Sequence, residues 1–375
     1  MRRMTTFAAL GAAATLVLSA CGDAPEDDTD TPAGDDTAAT DTADEPAAGG
    51  DSADFKACMV SDAGGFDDQS FNQAAYSGLT GARDSLGIEI AEAESQSDAD
   101  FAPNIDAMVQ QGCNLTIGAG FLLEDAIQTA AEANPDTNFA LVDSGFSDAD
   151  FNPVEIDNAK PILFNTSEAA FLAGYLAAGM SESGTVATYG GLPIPSVQIF
   201  MDGFSDGIDK YNEDEGTDVQ LLGWDKEAQN GSFANSFDDQ SQGSTLGEQF
   251  ISQGADIILP VAGPVGLGTA AVAEGQDVKL IWVDSDGYET TEYGDMILTS
   301  VLKHMGPAVE GAITETVEGS FTNEPYVGTL ENGGVSLAPF HDFEDEVPQE
   351  LKDKLAEYEQ QITSGDLVVE SPNAP

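Results

Sequence analysis

From residue 55 onward, eight short apolar runs alternate with segments of helical periodicity, and this alternation restricts the fold more than any other feature of the chain. Strands are predicted at 56–61, 88–92, 114–118, 138–142, 185–189, 218–222, 256–261 and 279–283. Helices are predicted near 71–86, 103–111, 122–133, 167–180, 196–211, 239–253, 265–274 and 304–318. Strands and helices alternating at these lengths bury their apolar faces as parallel βαβ units with right-handed crossovers. Eight such units fit one closed barrel or two open sheets. Between 143 and 166 the short apolar pieces have no good helix between them, and this break favours two doubly wound lobes. The length of 375 residues, more than one ordinary domain, agrees with that division. Ligands of such sheets bind at the carboxyl ends of the strands.

Residues 1–54 lie outside the pattern. Arg2 and Arg3 precede an apolar stretch at 7–18 that is too short to span a bilayer. Leu18-Ser19-Ala20-Cys21 then resembles a bacterial lipobox. This predicts a lipoprotein signal peptide over 1–20, cleavage before Cys21, and lipid on the thiol and amino group of that cysteine. The alternative is an ordinary signal peptide with a chance cysteine. Residues 22–54 are mostly Asp, Thr, Ala, Gly and Pro, with no Lys or Arg. Such a segment buries too little apolar surface to offset its ordering entropy, so 21–54 is predicted to be a lipidated, disordered acidic tether.

The whole chain carries 68 acidic against 11 basic residues, a net charge of −57. A field of that sign disfavours nucleic acid as a partner. The acidity suits a salt-adapted protein or an ordinary acidic extracellular one. Two histidines, His304 and His341, leave little scope for imidazole-rich metal sites, and no metal or cofactor is expected. Three cysteines are too few for a disulfide-dense scaffold. Cys58 lies early in the first strand and Cys113 just before the third. Those strands are neighbours in the usual doubly wound order, so a Cys58–Cys113 disulfide is expected, with two buried free thiols as the alternative.

The residues after the strands carry the chemistry. The run from Ser61 to Gln73 follows a strand and opens a helix. Ser70 and Gln73 fit a capping box that starts the helix near Phe71. The run therefore places Asp62, the Asp67–Asp68 pair, Phe71 and Asn72 at a strand mouth. Asp143, Asp284 and Asp286 close other strands, and Phe121 follows a glycine-rich strand end. No GxGxxG or Walker motif follows any strand, and the glycines from Gly263 to Gly268 have the wrong spacing for a phosphate cradle.

The blocks DDQSFNQAAYSGL, FLAGYLAAGM, GADIILPVAGPVGLG, WVDSDG and LTSVLKHMGPAV resemble the signature of the basic membrane protein family, the PnrA-like substrate-binding lipoproteins of ABC transporters. The resemblance runs from about Phe55 to Val309, and more loosely to the end. It implies a type I periplasmic-binding fold: two Rossmann-like lobes, crossed several times by the chain, closing on a purine nucleoside. The corresponding divisions are 55–163 with 285–320 for one lobe, 164–284 with 321–368 for the other, and a tail at 369–375. By resemblance Phe71 and Phe200 are the stacking pair, Asp143 is the base-edge acceptor assisted by Asn72 and Asp68, Asp284 and Lys303 are the ribose-side pair, and Gly266 admits backbone to the ligand. Core packing is the competing role for Phe200, and an ion pair with Asp284 is the competing role for Lys303. The implied setting is a monomer anchored outside the cytoplasm at the cell membrane, serving an ABC permease. Gln69, where the family usually has Lys, and the Ala262–Gly266 turn depart from the family pattern and put the base preference in question. A sugar or signal-molecule receptor of the same fold is the nearest alternative. A nucleoside hydrolase would need a metal-binding carboxylate cluster or an activated nucleophile, for which no motif is present.

Overall fold

The computed structural model describes residues 54–148 and 152–375. All of these fall within one compact unit, Gly49–Pro375. The signal segment, Cys21 and all but the last residue of the tether lie outside the described residues.

The first large sheet takes its first five strands from β1 (Lys56–Ser61), β2 (Glu89–Ala93), β3 (Leu115–Ala119), β4 (Asn138–Val142) and β5 (Ala159–Phe164). Connecting the first four are α1 (Phe71–Leu86), α2 (Asp98–Gln110) and α3 (Glu124–Ala133). The second lobe starts at α4 (Ser167–Met180) and continues through β6 (Thr185–Gly190), α5 (Pro195–Glu215), β7 (Gln220–Leu222), α6 (Gln240–Ser252), β8 (Ile257–Val261), α7 (Val265–Ala273), β9 (Lys279–Asp284), the single turn α8 (Gly287–Thr290) and β10 (Ile297–Lys303). The chain returns to the first lobe as α9 (Met305–Val317) and β11 (Tyr326–Gly328), then ends in the second as β12 (Val335–Leu337) and α10 (Gln349–Ser364). The two six-stranded sheets have the orders β11-β5-β4-β3-β1-β2 and β12-β10-β9-β8-β6-β7. Every pairing in them is parallel except β10 with β12.

The eight predicted strands all form, within a residue or two of their predicted limits. In the two large sheets four more, β5, β10, β11 and β12, escape the sequence pattern, as do the two-residue strands of two small hairpins, Phe146–Ser147 with Pro153–Val154 and Trp224–Asp225 with Asn230–Gly231. Pro161 lies inside β5, a residue that normally argues against a strand interior. Two of the four are only three residues long. These strands also correct the expected lobe divisions. Residues 297–303, expected in the first lobe, pair with β9 in the second sheet. Residues 326–328, expected in the second lobe, pair with β5 in the first. The chain changes lobes after Lys303 and again after Gly328, and pairing partners, not local pattern, determine where such short strands lie. The expected tail is held in place: Ser371 and Asn373 donate to the buried Asp202 of α5.

Apolar residues form three clusters. One fills the space under α2 and α3, another that under α6 and α7, and the largest runs beneath α1, α9, α4, α5 and α10 through both lobes. Cys58 and Cys113 are bonded within the first of these, with their Cα atoms 5.9 Å apart. Among the described residues no helix is long and apolar enough to cross a membrane.

Candidate ligand cleft

Strand ends from both sheets meet around one cleft, whose enclosed space is about 60 Å³. The first lobe contributes Asp62 after β1, Asp68, Phe71 and Asn72 at the start of α1, Phe121 after β3 and Asp143 after β4. The second contributes Val197 and Phe200 from α5, the Ala262–Pro264 turn after β8, Asp284 at the end of β9 and Lys303 at the end of β10. Nine of the ten residues expected from the sequence therefore line one space. Gly266 does not. It lies inside α7, where an added Cβ would meet the Trp282 ring at 2.9 Å, so its smallness serves helix–sheet packing. The sequence reading missed Phe237 and Ser196. Pro195 at the first turn of α5 marks a helix start facing the cleft and was a usable signal for Ser196. Phe237 sits on a loop before α6, with no strand end to point to it.

The expected capping box does not form. Ser70 makes no side-chain cap. Asp68 does that work, its carboxylate accepting from the backbone N–H groups of Ser70, Asn72 and Gln73. The Ser70 hydroxyl is thereby released to reach the other lobe, where it donates to Val283 O and Asp284 Oδ2, each at 3.1 Å. Next to it the Gln69 carbonyl accepts from Trp282 Nε1, Ser285 Oγ and Thr290 Oγ1. Gln69, Asp143 and Asp284 have φ of 59°, 70° and 69°. Left-handed backbone at non-glycine residues costs energy and concentrates at functional sites, and three such residues sit here.

Lys303 is central to the cleft. Its Nζ lies 2.5 Å from Asp143 Oδ2 and 3.4 Å from Asp284 Oδ1, joining the lobes. The same atom is 5.2 Å from the Phe71 ring centroid and 5.0 Å from that of Phe200, within cation–π range of both. Burial alone would push the ammonium down, but Asp143 and Asp284 outweigh it and hold the pKa above the usual lysine value.

Asp62 has no such partner. Burial, aided by Asp68 and Asp143, pushes its carboxyl up to about 8 against the opposing hydrogen bond from Asn72. Asn72 Nδ2 donates to Asp62 Oδ1 at 3.1 Å and to Ala63 O at 3.0 Å. Gly120 closes over this carboxylate. A Cβ at that position would lie 1.9 Å from Asp62 Oδ2, and the residue has φ of 117°.

Asp67 is exposed and does not line the cleft, and Asp286 pairs with His341. Among the described residues no group of three or more His, Cys, Asp or Glu is arranged to hold a metal ion.

Two open α/β sheets facing each other across a cleft of aromatic rings and carboxylates are the architecture of the type I periplasmic-binding fold. Over residues 55–371 the chain matches the family described as ABC transporter substrate-binding protein PnrA-like, and it belongs to that family. It is 31% identical over 338 residues to the ABC transporter nucleoside-binding protein BmpA of Lactococcus lactis, covering 85% of this chain and 90% of that protein. It is 28% identical over 363 residues to an uncharacterized lipoprotein of Pyrococcus abyssi, covering 84% of each. An ABC transporter solute-binding protein of Aeropyrum pernix superposes with a TM-score of 0.74 at 25% identity, covering 84% of this chain and 92% of that one. The architecture is the type I periplasmic-binding fold. The protein is an ABC transporter substrate-binding protein, which takes up a small molecule for its permease.

Proposed function

We propose that the protein is a lipid-anchored extracytoplasmic receptor that closes on a neutral purine nucleoside and presents it to an ABC permease. One observation carries the reading. Phe71 from one lobe and Phe200 from the other line the same cleft, their centroids 5.2 and 5.0 Å from Lys303 Nζ. Two rings so placed suit the two faces of a flat heterocycle, and stacking contributes about 0.5–1.5 kcal/mol beyond area burial. The carboxylates of Asp143 and Asp284 are acceptors for base N–H and ribose hydroxyl donors. The name of the Lactococcus relative supports the ligand class. The lipobox at Cys21 and the name of the Pyrococcus relative support the anchor.

A nucleotide fits the same cleft poorly. At about 6 Å and an effective dielectric near 20, each phosphate–carboxylate pair costs roughly 3 kcal/mol before screening. Lys303 is the one cation among the lining residues and is engaged by two carboxylates. Calorimetry with guanosine, inosine, adenosine, their monophosphates and a set of monosaccharides tests the reading. Nucleosides should bind and monophosphates should not. Binding of sugars alone, or of monophosphates as tightly as nucleosides, would overturn it.

A further inference from the structure

Asp202 of α5 is 0% exposed, and among the described residues no cation pairs with it. Lys226 in the neighbouring hairpin pairs instead with Asp206, one turn further along α5. A buried carboxylate is tolerated only where donors surround it, and Asp202 has four. Its Oδ1 accepts from Trp224 Nε1 at 3.0 Å and from Gln229 Nε2 at 2.8 Å, both in that hairpin. Its Oδ2 accepts from Ser371 Oγ at 2.6 Å and from Asn373 Nδ2 at 3.0 Å. Asn373 Nδ2 also donates to Gln229 Oε1, and Lys226 Nζ donates to the Glu370 carbonyl. Residues 370–373 are thereby fastened to the second lobe around one buried charge.

Beyond this anchor the segment reaches the space between the lobes. Asn373, Ala374 and Pro375 line a hollow of about 1040 Å³, whose wall also includes Leu122 and Glu124 of the first lobe. The hollow borders the ligand cleft, since Phe121, Asp143 and Ser196 line both. The Ala374 amide turns back to the Ser371 carbonyl. Among the described residues no hydrogen bond or ion pair joins 373–375 to the first lobe.

We propose that Asp202 is a positioning residue that pins residues 371–375 as a strap beside the cleft, and that the strap slows the passage of ligand through the adjoining hollow. A segment bonded to one lobe parts from the other without breaking an interlobe bond. It therefore raises the barrier to entry and to exit alike, and affinity is left to the cleft itself. Such gating elements set exchange rates in many binding sites. The role requires only that the cleft binds a solute, and the nucleoside reading enters through the choice of probe.

The test variant is Ser371→Ala/Asn373→Ala, which keeps Asp202, its two hairpin donors and every cleft-lining residue. Circular dichroism checks the fold, and Ser371→Ala alone, which keeps three of the four donors, is used if the double variant does not fold. Stopped-flow tryptophan fluorescence with inosine should show association and dissociation each faster by about tenfold, with affinity within about threefold of wild type. Unchanged rates, or a loss of affinity carried by dissociation alone, overturns the role. A second readout needs no ligand. In a Cys21→Ser background, where Cys58 and Cys113 are bonded to each other, Ser196→Cys supplies the reactive thiol. Its labelling by N-ethylmaleimide should be faster by about tenfold once the anchors at 371 and 373 are removed. If wild type does not bind inosine, the nucleoside reading falls and the labelling decides the strap: equal labelling rates with and without the anchors overturn it.

Discussion

The backbone carbonyl of Gln69, in the first lobe, accepts a hydrogen bond from the indole of Trp282, in the second, at 3.3 Å. Ser285 and Thr290 donate to the same oxygen at 3.0 and 3.2 Å. A single carbonyl, on a residue with φ of 59°, is thus a latch between the two lobes. It involves no side chain assigned to the ligand, so it biases the lobes toward closure whether or not the cleft is filled. Two net hydrogen bonds of about 1 kcal/mol each are removed in the double variant Ser285→Ala/Thr290→Ala. That variant should weaken ligand by about 10-fold and enlarge the ligand-free radius of gyration in small-angle scattering. An unchanged radius together with unchanged affinity would show that the latch does not govern closure.

Lys303→Met is expected to be severe. It leaves Asp143 and Asp284 facing each other without a cation, and breaking a buried pair costs about 3–5 kcal/mol. Thermal denaturation gives the readout, and the sign of its pH dependence is fixed. The folded pKa of Lys303 lies above the unfolded value of roughly 10.4. Its contribution is therefore complete below about pH 10 and is lost as pH rises through the folded value. The deficit of the variant should shrink only at strongly alkaline pH.

Phe71→Ala should separate binding from folding. The ring is half-buried at the start of α1, and loss of a stacking face with its area should cost about 10- to 100-fold in affinity with little change in melting temperature. Phe200→Ala removes a side chain only 1% exposed and part of the largest apolar cluster, so both affinity and melting temperature should fall. Equal melting losses in the two variants would argue against this division of roles.

For the anchor, Cys21→Ser in the natural host should release the protein to the medium or leave the precursor uncut, because the lipobox cysteine is the expected lipid attachment site. A correctly processed, membrane-bound variant would remove the lipobox reading. Fractionation with N-terminal sequencing gives the answer.

Most of the cleft was legible because strand ends are legible. Asp62, Asp143 and Asp284 each follow an apolar run that reads as a strand, and α/β topology gathers such positions onto one edge. Phe200 was assigned through the family resemblance, since its helical face alone also reads as core, and its side chain is both buried in the core and part of the cleft lining. The Ser70 capping box failed because Asp68, two residues earlier, satisfies the same N–H groups with a charged acceptor. The Gln69 latch was invisible because it is made by a backbone carbonyl, which any residue supplies. Strands β11 and β12 were missed because three-residue pairings depend on which sheet edge is near, not on their own composition.

Two changes of lobe late in the chain have a consequence for how the molecule is built. Strand β11, at the edge of the first sheet, comes after nearly the whole second lobe in the chain, and α9, which covers that sheet with α1, comes just before it. Delivered amino end first, the first lobe stays one strand and one helix short until residue 328 has emerged. The two lobes are then finished almost together, so neither can be cut out as an uninterrupted fragment that contains its whole sheet.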